Sequence, residues 1–263
     1  MDLSRRSLEQ HLAQQGLTVF GGFVPQPQDG LPLLPGRRPA AVVWMVGQAG
    51  SSVWPAFVAS PEAQDGRPDP MDRWSQSIGG ALAQALGGRA LFPSDGPPWW
   101  PFQRWLARGA PVQPSPLMLQ IHPLFGLWLA CRFALLLPDR VAGDLPDLPH
   151  APWREGWSDL CLQCDGQPCL QSCPVEAFDG QGFDVAACAT HVAAAQGRLC
   201  VEQGCLARRA CPVGASFRYA PDHAAFHMAA FVAARTPPGR ENPAPPASPP
   251  EPASSDLRRD ARP

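Results

Sequence analysis

The sequence predicts an α/β domain over residues 1–155, a small cysteine-rich module over 156–232 and a disordered tail over 233–263. Three observations carry this division. Apolar runs of strand length alternate with segments of helical periodicity up to about residue 150. Eight of the nine cysteines fall between Cys161 and Cys211. From Thr236 the composition shifts to Pro, Ala, Ser and charge, with nine prolines in the last 28 residues, too little apolar surface to order a segment. A chain of 263 residues with 45% hydrophobic content can bury one full core and one smaller one.

Along the first domain, residues 4–15 place Leu8 and Leu12 on one helical face, and Leu17 to Phe20 reads as a short strand closed by Gly21-Gly22. Ala40 to Val46, ending at Gly47, is a continuous β-prone run of the kind found in strands covered on both faces. The Asp69-Pro70 pair starts a helix that carries Trp74, Ile78, Leu82 and Leu86 at helical spacing until Gly87-Gly88 stops it. Ala90 to Phe92, Leu117 to Ile121 and Trp128 to Leu137 are further strand candidates. Trp99, Trp100, Phe102 and Trp105 form an aromatic cluster, for which packing is a commoner use than lining a pocket.

A formal net charge of −2 and a pI near 6.3 provide no long-range attraction to nucleic acid or anionic lipid. All 21 cationic side chains are arginine, which removes Schiff-base and P-loop lysine chemistry. Neither a signal-peptide pattern nor an apolar run of membrane-spanning length is expected, which places the protein in the cytoplasm. In that reducing compartment, nine cysteines argue for metal or redox chemistry over disulfides.

The cysteines run Cys161-x2-Cys164-x4-Cys169-x3-Cys173-Pro174, then Cys188, Cys200 and Cys205-x5-Cys211-Pro212. Eight thiols match two [4Fe–4S] cubanes, and proline after the last cysteine of each run turns the chain out of the ligand loop. The two exits repeat as Cys-Pro-Val-Glu-Ala-Phe from Cys173 and Cys-Pro-Val-Gly-Ala-Ser-Phe from Cys211. If each run sends its last cysteine to the other cluster, as in bacterial two-cluster ferredoxins, Cys161, Cys164, Cys169 and Cys211 form one set. Cys173, Cys188, Cys200 and Cys205 then form the second. One cluster with spare thiols stays open, as does zinc, which Cys-x2-Cys and Cys-x4-Cys pairs also bind. Cys131, inside an apolar run, reads as a core thiol, and His223 and His227, at i and i+4, as a surface pair in preference to a metal pair.

Over Cys161 to Cys211 the chain resembles the ferredoxin-like module of epoxyqueuosine reductase and related dicluster ferredoxins. The segment from Ser115 to Trp128, containing His122-Pro123-Leu124-Phe125-Gly126-Leu127-Trp128, is similar to a strand and turn of that reductase and of cblC-type cobalamin-processing proteins. Asp69-Pro70-Met71-Asp72 extends the likeness, which covers about residues 40–230. The resemblance implies an α/β (α+β) sandwich of the flavin-reductase and nitroreductase-related kind with cobalamin in the first domain and two cubanes beside it. No counterpart of that reductase's catalytic aspartate stands in this sequence.

Three functions follow. The first is electron carriage by two [4Fe–4S] clusters to a redox partner protein. The second is a cobalamin- or flavin-dependent reductase fed by those clusters, with His122, Trp99, Trp100 and Trp105 as cofactor-pocket candidates and no catalytic residue identified. The third is a zinc-stabilised interaction module. Enzymatic activity, if present, is that of an oxidoreductase, and neither nucleic acid nor membrane is an expected partner.

Overall fold

The computed structural model describes residues 5–139 and 160–235. The predicted boundary near residue 155 and the tail from Thr236 lie outside the described residues. The last helix continues to Arg235, so residues 233–235, assigned to the tail from composition, belong to it.

The first domain is mixed α and β, built on a four-stranded antiparallel sheet in the order β1-β2-β6-β3. The strands are β1 (Thr18–Phe23), β2 (Val42–Ala49), β3 (Arg89–Leu91) and β6 (Leu129–Leu137). Between β3 and β6, β4 (Gln113–Pro114) and β5 (Gln120–Ile121) make a separate two-stranded ribbon. The strand expected over Leu117 to Ile121 is thus reduced to its last two residues, because Met118 takes a left-handed conformation (φ 58°) and the chain turns there.

Every residue of β2 is buried, as its unbroken apolar run requires of a central strand covered on both faces. Its Trp44 and Val46 face α1 (Arg5–Ala13), α2 (Trp54–Val58) and α4 (Pro70–Ala85), meeting Leu8, Leu12, Phe57, Trp74 and Leu82. Each such side chain contributes about 1.5–3 kcal/mol of burial. Val43 and Met45 point the other way onto Phe102, Trp105 and Leu106 of α5 (Phe102–Gly109). α4 begins with Pro70 at its first turn, and its Arg73 guanidinium grips both carboxylate oxygens of Asp65 at 2.7 Å, just beyond α3 (Pro61–Gln64).

Gly21 and Gly22 do not close β1 as expected; they lie within it. A side chain at Gly21 (φ 148°) would put Cβ 1.8 Å from the Gly109 carbonyl oxygen, so the pair lets the end of α5 pack directly on the strand.

The second unit is a set of short helices: α6 (Pro168–Gln171), α7 (Val185–Ala193), α8 (Arg198–Gln203), α9 (Leu206–Ala210) and α10 (Pro221–Arg235). Bare backbone seats it on the first domain at three places. A Cβ at Gly126 would lie 1.9 Å from the Val213 carbonyl oxygen, one at Gly214 2.4 Å from that of Phe125, and one at Gly50 2.7 Å from that of Phe217. The His122-to-Trp128 turn and the second Cys-Pro turn therefore pack main chain to main chain.

Candidate metal centre

The eight cysteines of the module are spread over its turns and short helices: Cys161 and Cys164 lie in the turn before α6, and Cys188 and Cys200 lie within α7 and α8. Pro168 opens α6 and Cys169 follows it, while Cys205 and Cys211 flank α9 on either side. Cys211 has the extended backbone (φ −60°, ψ 125°) that a residue before proline prefers. The repeated exits have the same local form: the third residue after each cysteine is left-handed, Glu176 at φ 49° and Gly214 at φ 68°. At the first exit the Ala177 amide donates to Cys173 Sγ at 3.3 Å.

Thiols from both ends of the module meet in one apolar cluster. Cys161, Cys169, Cys173, Cys205 and Cys211 pack with Leu117, Ile121 and Leu127 of the first domain. Their electrostatics divide the eight into four and four. Burial pushes the Cys161 thiol up to about 11, and its neighbours Cys211, Cys169 and Cys164 add to the effect. Burial also pushes Cys188 up to about 11, and there the neighbours are Cys205, Cys173 and Cys200. Cys211, raised first by burial, is raised further by Cys169 and Cys164, whereas Cys205 feels Cys200 and Cys173. Each group of four contains three cysteines from one end of the module and one from the other. Charge on one thiolate is opposed by its three neighbours until a cation compensates it. Among the described residues, no group of three or more His, Cys, Asp or Glu side chains is gathered closely enough to hold a metal ion.

Of the four residues proposed from sequence as pocket lining, Trp100 and Trp105 are brought together. Trp99 is 66% exposed, and Trp105 is fully buried, stacked on Trp100 with its indole N–H donating to the Asp29 carbonyl at 3.1 Å. The buried His122 spends Nδ1 accepting from the Leu124 and Phe125 amides at 3.0 and 3.3 Å, which fixes the turn that docks the module.

His223 and His227 are not a surface pair. His223 is fully buried and His227 partly so, because α10 lies against the end of β2. The Nε2 atoms of the two rings are 3.0 Å apart, the Gln48 amide nitrogen is 3.2 Å from His223 Nε2, and Ser51 Oγ is 2.9 Å from its Nδ1. The His223 ring is stacked between Trp54 and Tyr219. A helix of low amphipathicity such as α10 gives little indication of its inner face, and Gln48 lies inside an otherwise apolar strand. Neither was recognisable from spacing.

Burial pushes His223 down to about 4, helped by Arg132 and Arg208 and opposed by Asp222. His227 is pushed down to about 3 by burial, then by Arg132, His223 and Arg208. The unfolded chain binds these protons near the ordinary value of 6.5, so it holds more protons than the folded chain between 6.5 and about 4. The contribution of these two histidines is therefore flat above pH 6.5 and falls as the pH drops below it, by about 1.4 kcal/mol per unit for each. Urea titrations across this range are expected to show the fall, and His223→Gln is expected to reduce its slope. An unchanged slope in that variant contradicts the assignment.

Arg208, midway between Cys205 and Cys211, fastens the module to the first domain. Its Nε and Nη2 donate to the Leu127 carbonyl at 3.1 and 2.6 Å, and its guanidinium lies over the rings of Trp128 and Tyr219. A lysine cannot reproduce the fork or the stacking, so Arg208→Lys is expected to cost about 1–3 kcal/mol in urea unfolding.

At the same junction lies a cavity of about 220 Å³, whose lining includes Leu127, Cys131 and Arg208. Cys131, expected in the core, is half-buried at this wall, its thiol pushed by burial up to about 12. No helix among the described residues is long and apolar enough to cross a membrane. No protein-family model matches the chain, and comparison with curated proteins gives no match.

Proposed function

We propose that the protein is an iron–sulfur electron carrier. In this reading Cys161, Cys164, Cys169 and Cys211 would hold one [4Fe–4S] cluster, and Cys173, Cys188, Cys200 and Cys205 a second. The observation that carries it is the packing of thiols from both ends of the module into one cluster, Cys161, Cys169 and Cys173 with Cys205 and Cys211. The module then has a ferredoxin-like arrangement, with each Cys-Pro exit serving the opposite cluster.

When bound, the clusters supply one-electron transfer. The chain's own residues hold and insulate them. Leu117, Ile121 and Leu127 exclude water from one side, the Ala177 amide donates to the Cys173 sulfur, and Arg208 with the Gly126–Gly214 contact fixes the module on its domain. The recipient is a redox partner protein.

The junction cavity, at about 220 Å³, is smaller than the roughly 300–1,000 Å³ usual for cofactor-sized ligands, and none of Trp99, Trp100, Trp105 and His122 lines it.

Anaerobic purification tests the proposal. The expected protein is brown, with broad visible absorbance that dithionite bleaches. A colourless protein containing zinc overturns it.

A further inference from the structure

The charge of the module is divided between its halves. From Leu160 to Gly197 the chain carries four carboxylates, Asp165, Glu176, Asp179 and Asp184, and neither lysine nor arginine, whereas from Arg198 to Arg235 five arginines outnumber two carboxylates. All four acidic side chains of the first half are exposed, and none is ion-paired among the described residues. Two of them are held in place: Asp179 accepts from the Gln181 and Gly182 amides at 2.8 and 2.6 Å, and Asp184 from the Ala187 amide at 2.9 Å. Apolar surface lies among these charges. Leu162, next to Cys161, is 78% exposed. The half-buried rings of Phe178 and Phe183 stack at 4.5 Å across a short hairpin, and Phe178 packs in the same cluster as Cys161 and Cys169. An apolar centre within a charged rim is the composition of a protein-docking surface.

We infer that this face of the module docks a redox partner protein that presents an apolar patch ringed by lysine or arginine. The partner's redox role rests on the carrier reading, whereas its charge and its apolar centre are read from the face itself. Four carboxylates with no cation among them steer a basic surface toward Leu162 and the Phe178–Phe183 pair and repel an acidic one. A second copy of the chain is a poor occupant, since a two-fold contact through this face would set like charges against each other. The formal net charge of −2 conceals the face, because the arginines that offset its carboxylates belong to other parts of the chain.

The test uses the full chain purified anaerobically, with cytochrome c, a strongly basic protein, as probe. Calorimetric titration at low ionic strength is expected to show saturable binding that weakens about tenfold or more on raising the salt to about 0.15 M. Asp165→Asn combined with Glu176→Gln removes two charges from exposed positions of the face and is expected to weaken low-salt binding about fivefold or more. Leu162→Ser is expected to weaken it about threefold or more and to leave the salt dependence unchanged. Glu9→Gln combined with Glu62→Gln removes the same charge from the first domain and is expected to change the affinity by less than about twofold. Absence of saturable binding, wild-type affinity in either variant of the face, or an equal loss in the first-domain pair overturns the inference. Protein that contains no iron but binds in the expected pattern overturns the carrier reading and leaves the docking surface standing.

Discussion

Cys188→Ser is expected to lower the iron content from about eight atoms per chain to about four, and Cys211→Ser to do the same by emptying the other site. Pairing the substitutions makes the allocation testable. Cys211 follows Cys205 in sequence, but its electrostatic neighbours are Cys169 and Cys164. If those neighbours share its cluster, Cys211→Ser combined with Cys164→Ser removes the same four irons as either alone. Cys211→Ser combined with Cys188→Ser removes all eight. Two changes acting on one centre are not additive, whereas two on separate centres are. The opposite pattern, with Cys211 and Cys188 redundant, shows that each end of the module serves its own cluster and that the exits do not cross.

Gly214→Ala is expected to be strongly destabilising. The residue is left-handed at φ 68°, and a Cβ there would lie 2.3–2.5 Å from Phe125 C, Phe125 O and Gly126 N. All three are backbone atoms of a turn already fixed by His122, so nothing flexible can give way. The cost is about 3 kcal/mol or more, in thermal or urea unfolding, from strain plus separation of the two units. Glu176, at the same point of the first repeat, is the internal control. It also holds a positive φ, of 49°, but is exposed. Glu176→Gly is expected to stabilise the protein by about 0.5–1 kcal/mol, since glycine adopts this conformation without the steric cost. Equal effects at the two positions would show that backbone conformation, and not the contact with Phe125, decides the matter.

The contrast between Glu176 and Gly214 also indicates how far the sequence was legible. The repeated Cys-Pro-Val exits were visible as spacing. That one repeat needs glycine because another segment's backbone presses on it was not, since the contact joins residues about ninety positions apart. The helices with Leu8, Leu12, Trp74 and Leu82 and the central strand from Val42 were readable because each has a regular inward face or none exposed. Gly21-Gly22 was misread as a stop because a close approach by α5 looks, in sequence, like a turn. The histidines of α10 were misplaced on the surface for a related reason. Their burial depends on Gln48 and Ser51, more than 170 positions earlier, and an i, i+4 pair carries no mark of which side it faces. The grouping of thiols could be written down from ligand arithmetic, whereas the junction cavity, assembled from five separate stretches of chain, could not.

Whether eight thiols hold two cubanes is tested most directly by iron and acid-labile sulfide measured per chain after anaerobic purification. About eight of each are expected, with no stoichiometric zinc. One or two zinc ions with no sulfide would contradict it.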